Sequence, residues 1–251
     1  MTLTVRDLSV TYHNRPAIHS VAFDALSGSV TGIIGPNGAG KSTVLKAVMG
    51  LVRPDTGTVR VDGLPIDRVR DTIAYLPQRL ALDWEYPAQV RDVVAMGRHA
   101  HRRFGRRRGR ADHDAIASAL DRVGLSELAT RHIGELSGGQ QQRMLVARAL
   151  AQEASTLLLD EPFVGVDAAT VALLSTLLMS LAADGACVVV VHHDLATTAQ
   201  MCDHLVLLNQ RIVSQGPTAR VFTSEWLDRT YAVDPGASGT TASSWQAGRG
   251  S

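Results

Sequence analysis

Only two of the 251 residues are cysteines, Cys187 and Cys202, and both lie inside apolar segments. No disulfide framework is expected, and a reducing compartment is the simplest reading. Aromatic residues make up only 4% of the chain. No clean apolar run reaches the roughly 20 residues that a membrane-spanning helix needs. The best candidate, from Val171, is broken by Asp184 and Gly185 and predicts a buried helix, a turn and a buried strand. An excess of either charge sign is also lacking. The 25 Lys plus Arg against 24 Asp plus Glu leave a net charge of +1, which argues against a dedicated nucleic-acid binder. The start, MTLTVRDLSVTYHNR, has no basic stretch followed by an apolar block, so no secretory signal is expected. No internal repeat is found, and each motif below occurs once.

What the chain does have is hydrophobic content, 45%, and a length that buries a core without cross-links. Strands are expected at Leu3 to Tyr12, Ala17 to Phe23, Val30 to Ile34, Thr58 to Val61 and Thr72 to Leu76, with a helix from Ser42 to Val48. From Ala88 to about Glu153 the period is helical, as at Ile116, Leu120 and Val123 after a cap at Asp112. This predicts a helical insertion in an α/β core. The core then resumes with strands at Thr156 to Leu159, Cys187 to Val191 and Leu205 to Leu208, and with helices from Ala168 and Asp194. Such alternation implies a parallel sheet. The Gly-, Ser- and Thr-rich end predicts a disordered tail over residues 231–251.

GPNGAGKST, Gly35 to Thr43, fits the phosphate-loop pattern and lies between a predicted strand and a predicted helix. The glycines let backbone N–H groups and the helix N-terminus face a triphosphate, Lys41 reaches its β- and γ-phosphates, and Ser42 offers a hydroxyl to Mg²⁺. TLLLDEP ends an apolar strand on two acids. Asp160 is placed to hold Mg²⁺ and Glu161 to polarise the attacking water. LSGGQQQR, Leu136 to Arg143, opens a further helix, so Ser137, Gly138, Gly139 and Gln140 form a second anion-binding end. The insertion carries that end away from the chain's own phosphate loop, so a second copy of the chain is expected to complete the site.

With the motifs in this order, residues 1 to about 225 resemble the ATP-binding subunits of ABC transporters. Gly35 to Thr43 is similar to Walker A, Gln78 in YLPQ to the Q-loop, LSGGQ to the signature and LLLDE to Walker B. In VHHDL, His193 rather than His192 directly precedes the Asp of the usual HD pattern, so His193 matches the switch histidine. Tyr12 is similar to the aromatic that stacks on adenine, and Asp167 to the D-loop acid. The usual S-A-L-D is replaced by Val164-Gly165-Val166-Asp167 and loses its serine.

The resemblance implies a P-loop NTPase (RecA-like) α/β core with an antiparallel β subdomain and a helical subdomain inserted at about 81–153, all within a domain spanning 1–230. It implies a head-to-tail dimer around two ATP. Each ATP would meet Tyr12, Gly35, Pro36, Asn37, Gly38, Ala39, Gly40, Lys41, Ser42 and Thr43 of one chain, and Ser137, Gly138, Gly139, Gln140 and Asp167 would complete the binding set. Ser42, Gln78 and Asp160 would hold Mg²⁺, with Glu161, His193 and Gln78 catalytic. Partners would be a membrane permease and, indirectly, an extracytoplasmic metal-binding protein, with the chain on the cytoplasmic face of the membrane and no nucleic acid involved. The segment RLALDWEYPAQVRDVVAMGR after Gln78, with the HHD and GVD variants, resembles the importers of manganese, zinc and chelated iron. Siderophore, haem or cobalamin import is the alternative, and a soluble non-transport ATPase a further one.

In that family the cargo passes through the permease and would not bind this chain. His99, His101, His113 and His132 lack Cys or acidic partners at ligand spacing and predict no metal site. Seven arginines between Arg98 and Arg110 predict a solvated loop or a surface for anionic lipid headgroups or an acidic permease loop.

Overall fold

The computed structural model describes residues 2–78, 83–101 and 109–232. In chain order its strands and helices are β1 (Thr2–Tyr12), β2 (Arg15–Leu26), β3 (Ser29–Ile34), α1 (Lys41–Val48), β4 (Thr56–Val61), β5 (Leu64–Pro65), α2 (Ile66–Val69), β6 (Ile73–Leu76), α3 (Val90–Ala95), α4 (Arg110–Arg122) and α5 (Gly138–Leu150). They continue with β7 (Thr156–Asp160), α6 (Ala168–Ala183), β8 (Cys187–Val191), α7 (Leu195–Met201), β9 (His204–Asn209), β10 (Arg211–Pro217), α8 (Thr218–Val221) and α9 (Ser224–Tyr231). Short 3₁₀ turns link several of them.

Two sheets result. β2, β1, β4 and β5 form an antiparallel sheet in that order, and the larger sheet runs β10-β9-β3-β8-β7-β6. In the larger sheet β9-β3, β3-β8, β8-β7 and β7-β6 are parallel, and β10 is an antiparallel edge. SVTGII, TLLLD and CVVVV are buried at every residue, because a central parallel strand is covered on both faces. Alternate side chains feed two cores. Leu157, Leu159, Val188 and Val190 join α5 and α6 on one face, while Leu158, Val189 and Val191 meet α1 and the antiparallel sheet on the other. The β7-β8 register, Thr156 opposite Cys187 through Asp160 opposite Val191, brings the acidic end of β7 level with the exit of β8.

The helical insertion lies between β6 and β7. Val90, Val93 and Val94 of α3 pack with Ile116, Ala119 and Leu120 of α4 and Met144 of α5. Three expectations need correction here. Asp112 does not cap α4: Gly109 is the N-cap, and Asp112 sits in the first turn, where its Oδ2 accepts from the Gly109 N–H at 3.0 Å. The helix after LSGGQ ends at Leu150 rather than near Glu153. Arg98 is no loop arginine, because only 5% of it is exposed and it donates to Asp112 (2.9 Å), Glu153 (2.5 Å) and the Ala151 carbonyl (2.9 Å). Residues 102–108 of the arginine segment, and 233–251 of the expected tail, lie outside the described residues. Among the described residues no helix is long and apolar enough to cross a membrane.

Candidate active site

The phosphate loop leaves β3 at Gly35. A Cβ there would lie 1.9 Å from the Leu208 carbonyl oxygen, so only glycine lets the loop pass β9. At Gly40, φ is +92° and a Cβ would meet Ile18 at 2.3 Å and the Ala17 carbonyl at 2.6 Å, which presses the turn against β2. The Gln210 N–H donates to Ala39 O at 2.9 Å and pins the loop from the β9-β10 side. α1 starts directly after Gly40 with no side-chain cap, so its first N–H groups face the loop's concave side, the arrangement that receives anions. Lys41 folds back over that concavity, and its Nζ donates to Gly35 O at 2.8 Å and Pro36 O at 3.0 Å. Burial pushes the Lys41 ammonium below its ordinary value, against the pull of Glu161 and Asp160.

Opposite α1, β7 delivers the two acids. Ser42 Oγ donates to Asp160 Oδ1 at 3.0 Å. Burial pushes the Asp160 carboxyl up despite that bond, and the Glu161 charge adds to the rise. Glu161 is 8% exposed and held at φ +55°, a left-handed conformation unusual for a non-glycine residue. Its N–H donates to Val191 O at 2.9 Å, and that bond fixes the turn and aims the side chain at β8's exit. There His193 Nδ1 meets Glu161 Oε2 at 2.6 Å. Burial pushes the Glu161 carboxyl up, but the His192 and His193 rings more than offset this and hold it below its ordinary value.

A cavity of about 270 Å³ is lined by Tyr12, Asn37, Gly38, Ala39, Gly40, Lys41, Ser42, Thr43, Gln78 and Glu161. The cavity is open to solvent on the side of Tyr12. Tyr12 stands 39% exposed on its rim. The donors fit a magnesium–triphosphate: uncapped N–H groups and Lys41 for the phosphates, and the Ser42 hydroxyl beside the Asp160 carboxylate for a hard cation.

The signature stays outside the cavity. Ser137 caps α5, its Oγ accepting from the Gln140 N–H at 3.3 Å while Gln140 Oε1 accepts from the Ser137 N–H at 3.0 Å. Asp167 caps α6 by accepting from the Thr170 N–H at 2.9 Å, and a Cβ on Gly139 would come within 3.2 Å of its Oδ2. Ser137, Gly138, Gly139, Gln140 and Asp167 thus lie near one another and do not line the cavity around Lys41.

A match to the ABC transporter family spans residues 18–164. The chain belongs to that family, as an ATPase subunit. Among its relatives, the manganese transport system ATP-binding protein MntB of Halalkalibacterium halodurans is 47% identical over 227 residues, 90% of this chain and 90% of that protein. The zinc transport system ATP-binding protein TroB of Treponema pallidum is 45% identical over 227 residues, 90% of this chain and 85% of that protein. Among solved structures, an ATP-binding subunit of an ABC transporter superposes with a TM-score of 0.77 at 26% identity, covering 88% of this chain and 92% of that one. An ABC transporter in an inward-facing conformation superposes at 0.80 with 32% identity, covering 91% and 88%. The P-loop NTPase fold expected from the motif order is borne out.

In this ABC ATPase two residues near the site escaped the motifs. His192 is 4% exposed, with its ring edge-on to Phe163 at 4.9 Å and its Nδ1 3.5 Å from Glu161 Oε2 without a hydrogen-bond partner. The doubled histidine was its only sequence signal. Tyr231, at the end of α9, lies beside the Gly35 backbone, and burial pushes its hydroxyl up. No pattern in the tail region announces it.

Proposed function

We propose that the chain hydrolyses MgATP at this half-site, completed by the signature of a second copy, and that the resulting closure powers transition-metal import through a separate permease. One observation carries the reading: Glu161, ionised and bonded to His193, closes the same cavity that Lys41 and Ser42 open. The N–H groups of the Gly35 to Thr43 loop and Lys41 would bind the phosphates, with Tyr12 against the base. Lys41 would exchange its two backbone carbonyl partners for phosphate oxygens. Ser42, Asp160 and Gln78 would hold Mg²⁺, which supplies charge neutralisation on the phosphates. Glu161 would orient the attacking water, and His193 would hold Glu161 in place and contact the terminal phosphate. Ser137, Gly138, Gly139, Gln140 and Asp167 would act from across a head-to-tail dimer.

ATP drives such closure only through its higher affinity for the closed pair. The insertion at about 81–153, within a domain of 1–230, would transmit the movement to the permease on the cytoplasmic membrane face, with an extracytoplasmic metal-binding protein supplying cargo from the other side. Metal as cargo is supported by relatives named for manganese, zinc and chelated iron transport at 43–47% identity.

The test is a strain lacking this chain, complemented by wild type or by Glu161→Gln, with cell metal content and purified ATPase measured together. Wild type should restore one metal. Glu161→Gln should bind ATP, lose roughly 10²–10³ in turnover, as single transition-state groups do, and restore nothing. Normal metal content in the deletion strain would refute metal import. Near-normal turnover of Glu161→Gln would refute its role.

A further inference from the structure

We propose that Glu161, His192 and His193 form a metal site that takes up a borderline transition-metal ion, Zn²⁺ foremost, and that the occupied site stops hydrolysis. Each of the three residues offers one ligand atom within 4.8 Å of the other two. Bonds of about 2.0–2.2 Å in a tetrahedral shell set neighbouring ligand atoms roughly 3.3 Å apart. His192 Nδ1 already stands 3.5 Å from Glu161 Oε2. His193 Nδ1, at 2.6 Å from the same oxygen, must withdraw by less than about 1 Å to admit the ion. It is free to do so, because its side chain is 59% exposed. The exposed side also leaves a fourth position open to water.

The independent sign is His192. Its side chain is 95% buried, inferred from a relative exposure of 5%, and its Nδ1 points at the carboxylate with no hydrogen-bond partner. A buried polar atom without a partner is uncommon, and a bound ion would satisfy it. Two imidazoles and one carboxylate with an open position form a donor set that Zn²⁺ occupies in hydrolases. Mg²⁺ prefers an all-oxygen octahedron and is poorly served by it.

The consequence for turnover rests on the hydrolytic reading of Glu161 and His193. An ion on Glu161 Oε2 and His193 Nδ1 removes the carboxylate that orients water and the imidazole that holds it. Under that reading the site senses free metal on the side of the membrane where imported metal arrives, so accumulation slows its own import.

The test uses the full chain without an affinity tag. Co²⁺, as a coloured stand-in for Zn²⁺, is titrated into nucleotide-free protein, and ATPase is followed at free Zn²⁺ set by a chelator buffer. Visible ligand-field bands should appear at an equimolar ratio and vanish when Zn²⁺ is added. In His192→Asn, affinity should fall roughly 10- to 100-fold, the loss that even outer-shell changes produce, and half-inhibition, read against the variant's own zinc-free turnover, should move to correspondingly higher Zn²⁺. His192→Gln replaces it if thermal melting shows the Asn variant unfolded. Equal Zn²⁺ inhibition of wild type and variant, or Co²⁺ bands that are absent or unchanged in the variant, would overturn the proposal. A wild type inactive in zinc-free buffer would instead sink the hydrolytic reading, and the Co²⁺ titration would still decide whether the metal site exists.

Discussion

Asp160 is buried where its charge is costly: it is 2% exposed with a second carboxylate next to it, and the hydrogen bond from Ser42 and the charges of Lys46 and Lys41 do not offset its burial. Its folded pKa is raised above the ordinary 3.8. A group raised in the folded state favours folding below its unfolded pKa and ceases to do so as pH rises through the folded value. At neutral pH the ionised Asp160 therefore weighs against the nucleotide-free protein. Asp160→Asn keeps an acceptor for Ser42 and removes the charge, so it should stabilise that state by about 0.5–2 kcal/mol. Denaturant melts should show the gain at pH 7 and its shrinkage as pH falls toward the carboxylate range. A destabilised variant at pH 7 would contradict this account. At this scale the motifs made Lys41, Ser42, Asp160, Glu161 and His193 legible, because phosphate chemistry fixes their types and spacing. His192 was not legible. Which of two adjacent histidines turns inward depends on the exit of β8 against Phe163, and no residue type encodes that.

Elements were legible in proportion to their burial. β7 and β8 are covered on both faces and appear in the sequence as apolar runs, LLL and VVVV, while β3, buried just as fully, carries Ser29 and Thr31 among its apolar residues. β10, an edge strand whose residues are all at least partly exposed, and α8, a single turn, leave no such signal and went unforeseen. The start of α4 was misplaced for a different reason: Asp112 suits a cap by type, but Arg98 and the Gly109 N–H claim it three residues into the helix. That buried pair ties the turn after α3 to α4 and to the end of α5. Removing the cation from such a pair leaves a partly buried carboxylate uncompensated, which costs about 3–5 kcal/mol. Arg98→Met should lose about that much, discounted because Glu153 is itself exposed, and should open the α3–α4 region to limited proteolysis before the sheet unfolds. Unchanged protease resistance would show that apolar packing alone docks the insertion.

At the scale of the molecule, Ser137 to Gln140 and Asp167 lie outside the cavity that Lys41 and Ser42 line. Under the proposed head-to-tail dimer, each would be completed only by a second copy. The order of the motifs suggested this, since a long helical insertion separates them, but only the fold shows Gly139 so close to Asp167 and Thr170 of the same chain that a Cβ there would come within 3.2 Å of their side-chain oxygens. The arrangement makes a mixing experiment decisive. Lys41→Ala spoils the phosphate loop, and Ser137→Arg spoils the signature, so each variant alone has no sound site. In a head-to-tail pair of one of each, the intact loop of the Ser137→Arg chain meets the intact signature of the Lys41→Ala chain, and one of the two sites is whole. Random pairing of equal amounts makes about half the dimers mixed. If the two sites act independently, the mixture should recover about a quarter of wild-type ATPase activity while either variant alone stays inactive. A mixture as inactive as its parts would mean that the loop and signature of opposite chains do not share a nucleotide, and the open cavity around Lys41 would then have to close by a movement within one chain.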